Sequence, residues 1–151
     1  FEVCENYPQI EIEVISGITA ACSGGAVLGS PLTCDFAVIS LSDLLTPWEV
    51  IEKRVKNAAK GDFSMVLYNP ASKKRIDHLK RVCDMVLEFQ SPETICGIFK
   101  NIGREGESSE LMTLEKLRNT QVDMLTTVFI GNSRTKIISG KMVTPRGYRG
   151  I

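Results

Sequence analysis

The sequence predicts an α/β domain, a three-layer sandwich in which helices cover a mixed, largely parallel sheet. Two observations lead to this prediction. Continuous apolar runs of strand length recur along the chain, and segments with apolar residues at helical spacing lie between them. Glycine, proline and asparagine separate most of these segments. Strands that alternate with helices are typical of parallel crossover units.

The first segment is predicted to contain one strand and one helix. The run IEIEVI at residues 10–15 alternates isoleucine and valine with glutamate, which is typical of a strand with one solvent-facing side. After Gly17, small residues up to Leu28 predict a closely packed helix that ends at Gly29 and Pro31. A strand is not stable alone, so we expect this one to need partners from outside the segment.

Beyond residue 35 the alternation of strands and helices becomes regular. Thr46 followed by Pro47 predicts a helix start, because threonine caps a helix and proline fits its first position. The predicted strands lie at residues 36–41, 63–68, 94–101, 124–132 and 135–145, and the predicted helices at 47–61, 72–89 and 113–119. The last predicted strand has the pattern of a hairpin at the edge of a sheet.

The composition excludes several classes of function. Eighteen basic and eighteen acidic residues cancel, so no net charge favours a nucleic acid or a membrane surface as partner. No run approaches the roughly 20 apolar residues of a membrane helix, and no leader sequence is recognisable, so we expect a cytoplasmic protein. The five cysteines form no C-x-x-C pair, which predicts reduced thiols instead of disulfides or a zinc site.

Four segments are expected at the ligand-binding edge of the sheet, because ligands collect beyond the carboxyl ends of strands. These segments are residues 16–21, 69–72, 101–107 and 123–127, the last only if its strand is antiparallel. The glycine-rich turn that begins at residues 16–21 matches neither the P-loop motif nor the dinucleotide-binding motif. Two interpretations remain open: backbone groups and the Thr19 hydroxyl contact a ligand, or Gly24 and Gly25 allow close helix packing.

Charged residues in two of these loops are candidates for binding carboxylates. Lys73, Lys74 and Arg75 follow the second buried strand, and Arg104 lies in the loop GREGE. An arginine can bind a carboxylate through two parallel hydrogen bonds. The alternatives are a solvated charged face for the first group and a local ion pair for Arg104.

His78 and Asp43 are the remaining candidates for acid and base chemistry. His78 is the only histidine, which excludes histidine-rich metal sites and leaves little for a serine, histidine and aspartate triad. Its charged surroundings predict a solvated side chain. Asp43 lies in a loop that is expected to be exposed, where it could transfer a proton or cap a turn.

The order and spacing of five motifs closely resemble the tetrapyrrole methylases. The motifs are SGITAACSGGAVLGSPLTCDFAVISLSDLLTPWEVIEKR, LYNPASKKR, NIGREGE, VDMLTTVFIGNS and MVTPRGY. The resemblance covers nearly the whole chain from about residue 10. It implies a two-domain enzyme that binds S-adenosylmethionine in the cleft between its domains and works without a metal. Two motifs, SLSDLLTPWEVIEKR and LYNPASKKR, resemble the branch that methylates ring carbon 17 of a cobalamin precursor with ring contraction.

The resemblance also implies which residues contact the cofactor and how the chain is divided. The positions that correspond to the family's cofactor contacts are Thr19, Ala20, Asn69, Ile102, Gly103, Thr126 and Thr127. Arg104 and the group at 73–75 become candidate contacts for the carboxylates of the corrinoid substrate, and Asp43 a candidate for proton transfer. Residues 1–35 correspond to the end of an amino-terminal domain and a linker, and residues 36–151 to the carboxy-terminal domain. The family commonly forms homodimers.

The sequence also departs from the family pattern. Ser16 replaces a common proline, and Ile102 replaces a smaller residue. The glycine- and proline-rich loop and the Gly-Asp-Pro segment of the family's amino-terminal half have no counterpart in this sequence, so we expect a carboxy-terminal portion that is inactive or very weak alone. The alternatives are a tetrapyrrole methylase that acts at another ring carbon, or a non-catalytic module for dimerisation or ligand binding.

Overall fold

A computed structural model describes residues 1–72 and 75–148 as a three-layer α/β sandwich. The helices are α1 (Ala20–Leu28), α2 (Trp48–Lys60), α3 (His78–Leu87) and α4 (Leu114–Arg118). The strands are β1 (Gly29–Ser30), β2 (Phe36–Ser40), β3 (Ser64–Tyr68), β4 (Ile95–Lys100), β5 (Ser108–Thr113), β6 (Thr126–Ile130), β7 (Lys136–Ile138) and β8 (Lys141–Val143). Within the described ranges, no helix is both long and apolar enough to span a membrane.

The central sheet is mixed, with the strand order β2-β3-β6-β4-β5. Only β2 and β3 pair in parallel; β6 is antiparallel to both β3 and β4, and β5 is antiparallel to β4. The prediction of a largely parallel sheet is therefore wrong. The helical crossovers do make β2, β3 and β4 point the same way, but β6 enters between β3 and β4 in the opposite direction. The alternation of strands and helices predicts strand direction, not which strands become neighbours.

Each face of the sheet packs against a different helix layer, because successive side chains of a strand point to opposite faces. The larger core lies under α2, α3 and α4 and includes Met65 of β3, Val128 of β6 and Val82 of α3. The smaller core lies under α1, where Val66 and Phe129 point the other way. These two cores confirm the predicted three layers.

Helix α1 approaches the sheet closely at Gly24. A methyl group added at Gly24 would lie 2.9 Å from Cζ of Phe129 and 3.1 Å from Cδ1 of Phe99, which is closer than side chains normally pack. At Gly25 the nearest atom, on Leu32, would be 3.6 Å away, an ordinary contact distance. The close-packing interpretation of the glycine pair is therefore confirmed for Gly24 and wrong for Gly25.

The predicted strand at residues 10–15 is wrong for this structure, in which residues 10–19 have no regular secondary structure. Val14 and Ile15 are 73% and 84% exposed. No described strand runs beside this segment, so its backbone N–H and C=O groups form no hydrogen bonds of a sheet. Its alternating apolar residues therefore pack on no described sheet.

The end of the described chain forms a second, small sheet. Strands β7 and β8 make the predicted hairpin, and β1 pairs in parallel with β8. Met142 of β8 is fully buried in the same core as α1. This sheet therefore anchors the end of α1 against the body of the domain.

Candidate functional site

A cavity of about 260 Å³ lies where the carboxyl ends of β3 and β4 meet the start of α1. The segment before β6 completes its wall, since β6 is antiparallel to its neighbours and so begins at this edge. The lining residues are Ala20, Tyr68, Asn69, Asn101, Ile102, Arg104, Met124, Leu125, Thr126 and Thr127. All four predicted ligand-edge segments therefore lie at one edge, and each of them contributes at least one lining residue.

Most of the predicted cofactor contacts lie together in this cavity. Five of the seven line it, namely Ala20, Asn69, Ile102, Thr126 and Thr127. Thr19 and Gly103 are not among the lining residues, but each is next in sequence to one that is. Residues that are more than 100 positions apart in the sequence thus meet at a single site.

Tyr68 lines the cavity and was missed by the sequence reasoning, which treated it as the last residue of a buried strand. Its hydroxyl oxygen accepts the Ala21 N–H at 2.8 Å and also bonds the Thr19 hydroxyl. Because its oxygen accepts from Ala21, the phenol can donate its own hydrogen to Thr19 Oγ1. These two hydrogen bonds tie the start of α1 to the end of β3 at the cavity.

Two asparagines shape the floor of the cavity through unusual backbone conformations. Asn69 and Asn101 follow β3 and β4 directly and have φ values of 52° and 55°. Asparagine tolerates this left-handed region better than most side chains, and such residues cluster at ligand sites. Asn69 Nδ2 donates to Ser40 Oγ at 3.1 Å, and Asn101 Nδ2 donates to the Gly106 carbonyl at 3.2 Å. These bonds hold in place the two loops that follow β3 and β4 and line the cavity.

Asp123 holds the segment that leads into β6. Its Oδ1 accepts hydrogen bonds from Leu125 N at 3.0 Å and Thr126 Oγ1 at 2.9 Å, and its Oδ2 lies 2.7 Å from Lys100 Nζ. The Lys100 ammonium, followed by the Thr126 hydroxyl and the Leu125 amide, lowers the pKa of the Asp123 carboxyl below its usual value. The ionised carboxylate therefore stabilises the wall formed by residues 124–127.

We expect acid to loosen this wall. A carboxyl with a lowered pKa in the folded state contributes stability that is present above its unfolded pKa of 3.8 and is lost as the pH falls through the lower folded value. Asp123→Asn should therefore reduce the free energy of unfolding at pH 7 and flatten its decrease below pH 4. Urea unfolding at several pH values checks this, with Glu13→Gln as the control. An unchanged pH dependence in Asp123→Asn would contradict it.

A cluster of polar side chains, separate from the residues that line the cavity, lies beyond the end of β2. His78 Nε2 is 3.1 Å from Asp43 Oδ2, and Arg75 Nη1 is 3.5 Å from Asp43 Oδ1 and 3.1 Å from Ser42 Oγ. The hydrogen bond from His78 is the largest cause that lowers the pKa of the Asp43 carboxyl. Arg75 thus donates to this loop, while Lys73 and Lys74 lie outside the described residues.

The predicted solvated position of His78 is wrong, because the residue is only 7% exposed. It is the first residue of α3, which begins later than the predicted start at residue 72. Its ring packs edge-on against Trp48 of α2 at 4.5 Å between ring centroids. Only the packing of α2 against α3 creates this environment, so the charged local sequence could not reveal it.

Arg104 is the one charged residue among those that the structure places in the cavity wall. It is exposed, and its backbone N–H donates to the Asn101 carbonyl at 2.9 Å in the tight turn after β4. Among the described residues, no three histidine, cysteine or acidic side chains are grouped so that they could hold a metal ion.

An α/β domain whose strand-end loops surround one cavity is typical of proteins that bind a small organic ligand. Residues 1–118 match the family of Tetrapyrrole (Corrin/Porphyrin) Methylases, and the chain belongs to this family.

Two curated relatives are named as probable cobalt-factor III C(17)-methyltransferases. The one from Methanocaldococcus jannaschii is 47% identical over 147 residues, and the one from Salmonella typhimurium is 45% identical over 140 residues. Each match covers 93% of this chain but only 59% and 58% of the respective relative. The crystal structure of the methyltransferase CobJ is similar with a TM-score of 0.85 and 34% identity, over 95% of this chain and 62% of that one. The chain therefore spans about three fifths of these proteins.

Proposed function

We propose that this chain is part of an S-adenosylmethionine-dependent methyltransferase of cobalamin biosynthesis. Its substrate would be a corrinoid precursor, precorrin-3B or its cobalt-containing counterpart, methylated at ring carbon 17 with ring contraction. One observation carries the proposal: five residues that correspond to the family's cofactor contacts line one cavity. The names of the relatives support the choice of ring carbon, and "cobalt-factor III" in those names supports a ring that carries cobalt.

The cavity suits one part of an S-adenosylmethionine molecule. Threonine and asparagine groups at positions 69, 101, 126 and 127 can bond polar atoms, while Ile102 and Met124 offer apolar surface for a flat base. When bound, this co-substrate supplies the methyl group: the bond from sulfur to methyl breaks, its electron pair stays on sulfur, and a carbon–carbon bond forms. The residues of this chain hold the donor at a fixed distance from the substrate, and positioning alone can supply several kcal/mol of the barrier reduction.

The remaining wall of the cleft is proposed to come from outside these residues. The cavity of about 260 Å³ is slightly smaller than the ~300 Å³ at the low end for ligand pockets, as expected for one wall of a larger cleft. The sequence predicts a boundary at residue 35 between the end of an amino-terminal domain and the carboxy-terminal domain at residues 36–151. Because α1 packs on the central sheet and β1 pairs with β8, we infer instead that the carboxy-terminal domain also includes residues 20–35. Alone, the chain would have little or no activity.

A cytoplasmic location and a homodimer are part of the same proposal. The five cysteines are free, which fits a reducing compartment. Phe36 and Val38 are 41% and 46% exposed on the edge strand β2, where a second subunit could cover them. Sedimentation of the intact protein would test the dimer.

Filling the cavity at Ala20 should block the co-substrate. We expect Ala20→Leu in the intact protein to weaken the binding of S-adenosylhomocysteine about tenfold or more, because added methylene groups cost roughly 1–3 kcal/mol in a packed site and each 1.4 kcal/mol is tenfold in Kd. Ala26→Leu, on the exposed side of the same helix, is the control and should bind normally. Isothermal titration calorimetry measures both. Wild-type affinity in Ala20→Leu would contradict this location of the site.

Two further measurements separate the alternatives. Product analysis with several corrinoid precursors distinguishes carbon 17 from another ring carbon. An intact protein that binds neither S-adenosylmethionine nor S-adenosylhomocysteine would instead be a non-catalytic module.

A further inference from the structure

The Asp43 carboxylate is held outward by two mostly buried donors. The side chains of His78 and Arg75 are 9% and 13% exposed, whereas that of Asp43 is 39% exposed. His78 Nε2 lies 3.1 Å from one carboxylate oxygen and Arg75 Nη1 lies 3.5 Å from the other. An ionised carboxylate only accepts hydrogen bonds, so His78 Nε2 carries the hydrogen. Asp43 is therefore fixed in orientation and still accessible.

The histidine itself is held from several sides. Trp48 packs against its ring, and Trp48 is fixed by a 2.6 Å hydrogen bond from its Nε1 to Glu52 Oε1. The Arg81 guanidinium lies 4.1 Å above the tryptophan ring and 3.4 Å from Glu52. This support involves both α2 and α3.

His78 cannot reach a substrate directly. Its Nε2 is engaged by Asp43, and its Nδ1 is buried without a hydrogen-bond partner among the described residues. The charged group nearest to Nδ1 is the Asp77 carboxylate, at 3.4 Å. Any proton exchanged with a substrate at this place must therefore pass through Asp43.

The pair lies next to the candidate cofactor cavity. Asp43 follows β2, and β2 is parallel to β3, so the two strands end at the same edge. Ser40 at the end of β2 accepts hydrogen bonds from Asn69 Nδ2 of the cavity wall at 3.1 Å and from Ser42 N at 3.3 Å. Exposed Leu44 and Leu45 extend the surface beyond Asp43 and offer apolar contact for a flat ring.

We propose that His78 is a positioning residue that orients the Asp43 carboxylate as the acceptor of the proton released from the methylated ring. This inference rests on the proposed function. Transfer of a methyl cation to a neutral ring carbon leaves one positive charge on the ring. The ring discharges it by releasing one proton, which the Asp43 carboxylate accepts and passes to solvent.

The test compares two substitutions of His78 in the intact protein. His78→Phe keeps an aromatic ring against Trp48 but removes the donor, whereas His78→Gln keeps a donor near the position of Nε2. Without the donor, the pKa of Asp43 rises toward its ordinary value, since the His78 hydrogen bond is the largest cause that lowers it. We expect His78→Phe to move the acid limb of the pH profile of kcat to higher pH and to lower kcat about tenfold near that limb, with His78→Gln closer to wild type.

Two controls isolate the effect. Asp43→Asn keeps the acceptor oxygen but cannot take up a proton, so kcat should fall roughly 100-fold with unchanged affinity for S-adenosylhomocysteine. Carbon-13 NMR titration of the Asp43 carboxyl reports the hydrogen bond without any turnover, and Asp77→Asn should alter it less than His78→Phe does.

The outcomes separate this inference from the proposed function. An active enzyme in which His78→Phe lowers kcat equally at every pH and leaves the Asp43 titration unchanged overturns only the positioning role. A folded intact protein that binds no S-adenosylhomocysteine and transfers no methyl group overturns the proposed function and, with it, the role of Asp43 in proton transfer.

Discussion

Replacing Gly24 with alanine is expected to destabilise the domain by about 1–3 kcal/mol, although alanine is the better helix former. The added methyl group would lie 2.9 Å from Phe129 and 3.1 Å from Phe99, both almost completely buried in the core under α1. Because both rings are packed in the core, we expect α1 to move away from the sheet to make room for the methyl group. Urea or thermal unfolding measures the loss.

Gly25→Ala is the matched control, one residue away on the same helix. Its methyl group would meet Leu32 at an ordinary 3.6 Å, so the gain in helix propensity of roughly 1 kcal/mol should make it neutral or stabilising. Equal effects of the two substitutions would contradict the close approach at Gly24. Because α1 begins at the cavity, Gly24→Ala should also weaken the binding of S-adenosylhomocysteine.

Replacing Arg104 with alanine in the intact protein is expected to raise KM for the corrinoid substrate roughly 10- to 100-fold. A hydrogen bond to a charged group contributes about 1.5–3 kcal/mol, and Arg104 is the charged residue that the structure places in the cavity wall. Arg104→Lys should have an intermediate effect, because lysine keeps the charge but not the paired donors of the guanidinium.

Arg54→Ala, on the exposed side of α2, serves as the control and should leave KM unchanged. The affinity for S-adenosylhomocysteine is measured in parallel by calorimetry. If Arg104→Ala weakens that affinity and leaves the corrinoid KM unchanged, Arg104 contacts the co-substrate and the proposed substrate role is wrong.

The predictable part of the structure lies in local patterns. The runs at 36–41, 63–68 and 94–101 are confirmed as β2, β3 and β4. Helix α2 begins one residue later than predicted, so that Pro47 and not Thr46 is its N-cap residue. Asn69 also ends its strand at the predicted place. Short-range periodicity suffices here, because burial on one face of a strand or helix is repeated every few residues.

The unpredicted part depends on distant partners. Strand β5 follows a glycine-rich loop and is held by its pairing with β4. Residues 10–15 have the alternating pattern of a strand but form none, because no described strand lies beside them. Tyr68 looks like a core residue until α1 brings Thr19 and Ala21 to its hydroxyl. These outcomes depend on which segments come into contact in the folded chain. A single sequence does not contain that information in its local patterns.

The sequence by itself determined the family resemblance, most strands and helices, and the loops that carry the candidate cofactor contacts. The tertiary structure alone decided that β6 lies antiparallel between β3 and β4, which brings Thr126 and Thr127 to the same edge as Asn69. It also decided that His78 is buried beside Asp43. The physical reason is that local periodicity encodes the faces of each element, whereas strand order and side-chain partners follow from burying those faces against one another.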